Sequence, residues 1–374
     1  MRVLIVDEEI IGGGVETLRR QLVPELAKVV DEVTWVLPGF LAEKFRDCAN
    51  VKIETLEPRT GIGRIKRAVA RRLYDDIPRR IIDERLRDLA RGHQSHILLT
   101  TCVLGQEFPA LDLPVAGFVS DVNPGLPPPI LDNIETWIEK SAATFAVSDF
   151  TCSELRRMKT DSADKIHSVP LAGPGWMSGE NAPPGRFLYP AAPNKHKGHL
   201  ILLQAALGLA RRGLDFRLTF SGPGMNETSG EVVQAMRAFF DEHKQLLGGR
   251  VTIKGDVGPE EVPRLFSESS CVVLPSAYEG FGLPLAEALA HGKRVVASEI
   301  PPFREQVNRY GCERMVTFVP ARDAAAVESA MAAHLNGADS NGMTDDELKE
   351  ALGRWTWADA ARRCRDLLEE VARG

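Results

Sequence analysis

The chain has no hydrophobic run approaching the roughly 18 residues that a membrane span requires, so no membrane-spanning helix is expected. Its six cysteines, Cys48, Cys102, Cys152, Cys271, Cys312 and Cys364, lie far apart, with no C-x-x-C and no paired histidines. A zinc site is therefore not readable, and in a chain of 374 residues the pattern fits reduced thiols and a cytoplasmic protein. An excess of positive charge is missing too. Lys and Arg number 46 against 52 Asp and Glu, a formal net charge of −6. A duplex binder needs a broad cationic face, so no nucleic-acid partner is expected. The opening run 1–7 is too short, and too soon interrupted by acids, to act as a signal peptide.

What is present is an ordinary globular balance, 44% hydrophobic and 26% charged, at a length that predicts two domains. Short β-branched runs alternate with stretches of helical period, the mark of βαβ units and parallel sheets. In the first half strands are expected at 2–6, 33–37, 51–54, 96–99, 115–119 and 144–147, with helices notably at 16–29, 64–91 and 130–140. Pro170, Gly173, Pro174, Gly175, Gly179, Pro183, Pro184 and Gly185 then crowd together, which reads as a linker. A second series follows, with strands at 186–189, 216–220, 251–254, 271–274, 294–297 and 315–319. The expected fold is α/β, two facing Rossmann-like doubly wound parallel sheets. Residues 1–170 form the first domain, 171–185 the linker, 186–354 the second domain, and 355–374 a last helix packing back toward the first. Ligands of such sheets bind outside the carboxyl ends of the strands, which points to the interdomain cleft.

The most informative segment follows strand 271–274: Pro275-Ser-Ala-Tyr-Glu279-Gly-Phe-Gly282-Leu-Pro-Leu-Ala-Glu287-Ala-Leu-Ala-His-Gly292. Pro284 suits the first turn of a helix and Gly292 its stop. Gly280 and Gly282 stand just before the helix, where free N–H groups and the positive dipole end suit a phosphate. Glu279 precedes the turn, and Glu287 is expected in the first helical turn. Carboxylates are poor neighbours for phosphate and good acceptors for sugar hydroxyls, so the string suits a diphosphate between two hydroxyl-rich parts, as in a nucleotide sugar. Taken singly, Glu287 could equally complement the helix dipole and the glycines make a tight turn.

The complete string, Glu279 and Glu287 with seven residues between them that include Gly-Phe-Gly-Leu-Pro, resembles the signature of glycosyltransferase family 4, retaining enzymes of the GT-B fold. The likeness extends upstream through Gly255-Asp-Val-Gly-Pro-Glu-Glu-Val262 and downstream through Arg294-Val-Val-Ala-Ser298 to Glu305. The resemblance implies that Glu287 binds the ribose hydroxyls and Glu279 contacts the transferred sugar. It further implies that backbone amides at Gly280, Phe281, Gly282 and Leu283 hold the diphosphate and sugar, and that the turn at Asp256-Val257-Gly258 touches the base.

Three further segments join it. Lys195-His196-Lys197-Gly198 precedes a helix, where the dipole disfavours cations unless an anion is near. A solvated basic turn is the bland alternative, and the match to the family's Lys-Gly element assigns Lys197 to the diphosphate. An Arg often found six residues earlier is Ala191 here, leaving neutralisation to Lys197 with Lys195 or His196. Ile11-Gly12-Gly-Gly14-Val fails as a dinucleotide fingerprint, because Thr17 stands where glycine is needed. It resembles the family's Gly-Gly-Val loop, in which Gly14 would face the donor phosphates; a glycine turn for close strand–helix packing fits as well. Val115–Asp121 matches a strand that in relatives ends in His-Asp. Ser120 replaces the His, and Asp121 remains either an acceptor-side carboxylate or a turn cap.

Between Arg59 and Arg80 eight Lys and Arg face only Asp75 and Asp76. Such a basic amphipathic stretch fits peripheral contact with the inner membrane face. It also fits a solvated helix packed on the first sheet, the preferred reading. No metal-ligand run such as D-x-D follows a strand, so no metal or other cofactor is expected. The resemblance implies a retaining, metal-independent transferase. It would move a hexose from a UDP- or GDP-linked donor, UDP first, to a hydroxylated acceptor: a sugar, lipid-linked glycan or small molecule. A nucleotide-sugar epimerase or hydrolase, and a non-catalytic nucleotide-sugar-binding protein, are the alternatives.

Overall fold

The computed structural model describes residues 1–8, 13–56, 77–177, 182–227, 230–258, 260–337 and 341–373. The principal elements, in chain order, are β1 (Arg2–Val6), α1 (Gly14–Leu26), β2 (Glu32–Leu37), β3 (Val51–Thr55), α2 (Arg79–Gly92), β4 (Ile97–Thr100), β5 (Val115–Val119), α3 (Pro128–Lys140), β6 (Ala143–Ala146), α4 (Asp149–Met158) and β7 (Ile166–Ser168). They continue with β8 (Arg186–Pro190), α5 (His199–Arg211), β9 (Arg217–Ser221), α6 (Glu231–Glu242), β10 (Val251–Gly255), α7 (Val262–Ser267), β11 (Cys271–Leu274), α8 (Leu283–Ala290), β12 (Arg294–Ser298), α9 (Pro301–Tyr310), β13 (Val316–Val319), α10 (Ala324–Leu335), α11 (Asp345–Leu352) and α12 (Trp357–Arg373).

Two compact units result: Met1–Leu171 with Trp357–Gly374, and Ala172–Thr356. The first holds a seven-stranded sheet in the order β3-β2-β1-β4-β5-β6-β7, the second a six-stranded sheet in the order β10-β9-β8-β11-β12-β13. Every strand pair is parallel. The sequence carries the reason. Strands such as β4, β5 and β11 are buried along their whole length, and continuous apolar runs are what a sheet covered on both faces demands. In both sheets the order reverses between the first strand and the fourth, at β1/β4 and β8/β11.

In the first unit Leu4, Leu98, Val119, Ile134 and Trp137 lie at the centre of the core. The amphipathic α12 packs on α1, burying Trp357, Ala360, Ala361, Cys364, Leu367 and Leu368. In the second, Tyr189, Phe220, Val272, Leu285, Phe303 and Tyr310 are fully or nearly fully buried. Burial of each such large side chain contributes about 1.5–3 kcal/mol.

Several boundaries differ from the sequence expectation. Helix α1 starts at Gly14 and stops at Leu26, because the N–H groups of Val29 and Val30 fold back onto the Leu26 carbonyl in a turn before β2. Helix α2 begins only at Arg79, behind Pro78, which holds Ile77 out of helical geometry. The expected basic stretch 59–80 lies outside the described residues up to 76. Strand β7 and helix α4 go beyond the sequence expectation; β7 is a three-residue edge strand with one fully buried position, too short to register as a pattern. Of the expected linker, Ala172–Met177 is fixed within the second unit. Gly173 N donates to the Tyr310 hydroxyl at 3.1 Å and Met177 N to the Ala290 carbonyl at 2.9 Å.

Candidate functional site

Strands β8 and β11 are neighbours at the reversal point of the second sheet, so the loops leaving their carboxyl ends run side by side. The first loop, 191–198, leads to α5 and the second, 275–282, to α8. They are fastened together by backbone. Ala277 N donates to the His196 carbonyl at 2.7 Å. The Tyr189 hydroxyl donates to the Lys197 carbonyl. Gly198 adopts a left-handed conformation at φ 78°, and a Cβ there would run into the Pro275 carbonyl, so only glycine lets the loops come this close.

Lys197 Nζ meets Glu279 Oε2 across the two loops at 2.7 Å, with the side chains 18% and 8% exposed. The resemblance assigns these residues to different parts of a ligand; in the structure they are each other's partner. The neighbouring cations do not join them. Lys195 is exposed and pairs with Glu231 at 2.7 Å. Burial, aided by Lys197, pushes the His196 imidazole below its ordinary value. His199, the first residue of α5, is buried against Tyr189 and Phe220, and burial lowers it to about 4. Of the two cations expected to share charge with Lys197, Lys195 thus points to an exposed acid and His196 lies beside Lys197 with its imidazole pKa lowered by burial. Ala191, where a relative's Arg often stands, is itself buried.

Helix α8 opens at Gly282, left-handed at φ 91°, with Pro284 in its first turn and no side-chain cap. Side-chain caps are present on α4 (Ser148), α10 (Asp323) and α11 (Thr344 with Glu347 in a capping box), while α2, α3, α6, α7 and α9 lack one as α8 does. Helix α5, after Gly198, is likewise uncapped by any side chain. The N–H groups of Gly282 and Leu283 have no acceptor among the described residues. Free N–H groups at the positive end of a helix dipole are the arrangement that suits an anion. Phe281 and Leu283 are buried at 6% and 7% exposure, so they offer backbone rather than side chain. Gly280, before them, is buried too.

Glu287 lies in the second turn of α8, not the first, because the helix starts at Leu283 rather than at Pro284 or beyond. It is too far from the helix end to serve mainly as a dipole partner. Pro284 and Glu287 are the only positions of α8 that are not fully buried, and they share one stripe. No described residue donates to the Glu287 carboxylate. Burial pushes its pKa up to about 7. Such a carboxylate has unused acceptor capacity beside two unused donors. Val257 follows β10 and is half-buried against the core of this unit.

The remaining expected residues belong to the first unit. Gly14 begins α1 behind Gly13, left-handed at φ 65°, again without a side-chain cap. Ile11 and Gly12 of that motif lie outside the described residues. Asp121 follows β5, and its Oδ1 accepts from Asn123 N at 2.5 Å, an Asx turn. At the reversal point of this sheet sits a network that sequence reasoning does not single out. Asp7 is fully buried, accepts from Thr101 N at 2.9 Å, Thr101 Oγ1 at 2.8 Å and Trp35 Nε1 at 2.9 Å, and forms an ion pair with Arg19 Nη2 at 3.3 Å. Its sequence signal is an aspartate directly following the apolar run Val3–Val6.

Among the described residues no group of three or more His, Cys, Asp or Glu could hold a metal ion, and no helix is long and apolar enough to cross a membrane. Residues 177–346 match the family model of glycosyl transferases group 1. Alpha-D-kanosaminyltransferase of Streptomyces kanamyceticus is 25% identical over 236 residues, 54% of this chain and 59% of that protein. The O-antigen chain mannosyltransferase B of Escherichia coli is 40% identical over 63 residues, 17% of this chain and 16% of that one. The match thus spans under two thirds of the first relative and a small part of the second. Anabaena HepE in complex with UDP-glucose superposes with a TM-score of 0.71 at 15% identity, covering 99% of this chain and all of that one. The fold is that of GT-B glycosyltransferase structures, and the likeness to group 1 glycosyl transferases lies in residues 177–346.

Proposed function

We propose that this protein is a retaining glycosyltransferase of family 4, moving a hexose from a nucleotide-diphospho-sugar to an acceptor hydroxyl, with UDP ahead of GDP as the carrier. The observation that carries this reading is the bare amino end of α8, where two unsatisfied amides, Lys197 and the unpartnered Glu287 stand on adjoining elements. The amides of Gly282 and Leu283 and the Lys197 ammonium bind the diphosphate. Glu287 accepts from the ribose hydroxyls and Glu279 from the transferred sugar, while the Val257 turn meets the base. Anabaena HepE, of the same fold, was crystallised with UDP-glucose, and the kanosaminyl and mannosyl relatives transfer sugars, which supports the donor class.

The chemistry follows from charge. As the bond between the anomeric carbon and the phosphate oxygen breaks, negative charge grows on the leaving diphosphate. Preorganised amides, the helix dipole and Lys197 stabilise it, a contribution of several kcal/mol. The acceptor oxygen bonds to the anomeric carbon on the face that the phosphate leaves, and its proton passes to the departing phosphate oxygen. No divalent ion is assigned a part. Asp121 is the acceptor-side carboxylate candidate, and Gly14 a second amide donor. The acceptor is a hydroxylated sugar, lipid-linked glycan or small molecule. All six cysteines are free thiols, which supports a reducing, cytoplasmic setting.

The test is a thermal-shift screen against UDP, GDP and other nucleoside diphosphates. Transfer from the matching sugar nucleotide follows, with the anomeric configuration of the product read by NMR coupling constants. Stabilisation by UDP and an unchanged anomeric configuration are expected. A protein that responds to no nucleoside diphosphate, or a product of inverted configuration, overturns the reading.

A further inference from the structure

Behind the turn that carries Phe281 and Gly282 stands Gln306, on the second turn of α9. Its side chain is 1% exposed, unusual for a residue that is mostly found at surfaces. Nε2 donates to the Phe281 carbonyl at 2.5 Å and to the Gly282 carbonyl at 3.2 Å. Two carbonyls can be served only by the nitrogen end of the amide, so its orientation is fixed by chemistry. Oε1, at the other end, is buried without a partner. A leucine of similar volume would spare that lost hydrogen bond, so the donor end is what the position uses. Phe303, three residues earlier on the same helix, closes the wall: a Cβ on Gly282 would run into its ring.

We infer that Gln306 is a positioning residue that locks the anion-binding turn in its donating orientation. The reason is the rigidity of the peptide unit. In a trans peptide the N–H points opposite to the carbonyl of the preceding residue. Holding the carbonyls of Phe281 and Gly282 toward α9 therefore turns the N–H groups of Gly282 and Leu283 away from it, at the bare end of α8. The lock is needed because Gly280 and Gly282 make the turn conformationally permissive, and peptide planes flanked by glycine rotate with little steric resistance. Gln306 touches no ligand in this scheme. It acts through backbone, and its proposed use for a diphosphate rests on the function proposed above.

Two measurements separate the inference from that function. Hydrogen exchange on the unliganded protein should show the peptide spanning 279–284 exchanging about tenfold faster in Gln306→Leu than in wild type, with peptides of β12 and α10 unchanged. Uniformly faster exchange would mark a merely structural residue, and an unchanged 279–284 peptide would mean no lock; either overturns the inference. Calorimetric titration with UDP and with GDP should give a Kd about tenfold weaker in Gln306→Leu, and weaker again in Gln306→Glu, whose carboxylate would face two carbonyl oxygens. Equal affinities in all three proteins also overturn it. Gln306→Met repeats both measurements should the leucine variant not fold. A wild type that binds neither nucleotide sinks the functional reading instead, while the exchange experiment still decides the lock.

Discussion

Lys197 and Glu279 form a largely buried ion pair, 2.7 Å from Nζ to Oε2, that ties together the loops leaving β8 and β11. Removing one partner leaves the other charge buried and alone, which typically costs about 3–5 kcal/mol. Lys197→Ala should therefore lower the unfolding midpoint in chemical denaturation as well as turnover. Adding Glu279→Gln to Lys197→Met should recover much of the stability and none of the transfer rate. Recovery of both would mean that the pair serves the fold alone.

Glu287 gives a pH signature with two opposite signs. Its folded-state pKa is raised from 4.5 to about 7, so between those values the folded protein holds a proton that the unfolded chain has released. Its contribution to stability is present below 4.5 and is lost as pH rises toward 7, each pH step of one removing at most about 1.4 kcal/mol. Nucleotide binding should run the other way, because ribose hydroxyls donate to the ionised carboxylate. Affinity should rise with pH through about 7, with proton release in calorimetry. Glu287→Gln should flatten both profiles. An unaltered affinity in that variant would mean the ribose lies elsewhere.

Gly282→Ala asks a residue with a Cβ to hold φ 91° against the Phe303 ring. A left-handed non-glycine residue costs about 1–2 kcal/mol before the collision is counted. Loss of stability together with at least a tenfold loss of nucleoside diphosphate affinity is expected, measured by thermal melts and titration. Wild-type affinity would show that the amides of this turn take no part.

Asp121 separates two readings that the sequence leaves open. Asparagine preserves the Asx turn to Asn123 N and removes the charge. Asp121→Asn should keep the melting temperature and lower kcat by about a hundredfold if the carboxylate works on the acceptor. A kcat within threefold of wild type would leave it a turn cap.

Much of this is legible in the sequence because one physical rule writes it. Strands buried on both faces must be apolar throughout, so β1, β5, β11 and β12 announce themselves; the edge strand β7, with His167 and Ser168 half-buried, does not. Pro284 and Gly292 bracket α8 to within a residue or two. The placement of Glu287 differs by one turn because Gly282, rather than a residue nearer Pro284, ends the loop. Partnerships are the part that cannot be read. Nothing in the spacing of Lys197 and Glu279, of Asp7 and Arg19, or of Gln306 and Phe281 reveals that folding brings them together. The Asp7 network also carries a prediction: Asp7→Ala should destabilise the protein in denaturant titration by about 1–3 kcal/mol for each buried donor left without its acceptor, among them Thr101 N and Trp35 Nε1.

The partition of the chain into Met1–Leu171 with Trp357–Gly374, and Ala172–Thr356, has a consequence for biosynthesis. The second unit is one uninterrupted stretch, so every strand of its sheet has left the ribosome before α12 is translated. The first unit, begun earliest, is finished last: the surface of α1 waits for Trp357, Cys364 and Leu368 through the making of the whole intervening unit. During that interval the face of α1 that α12 will cover stays open to solvent.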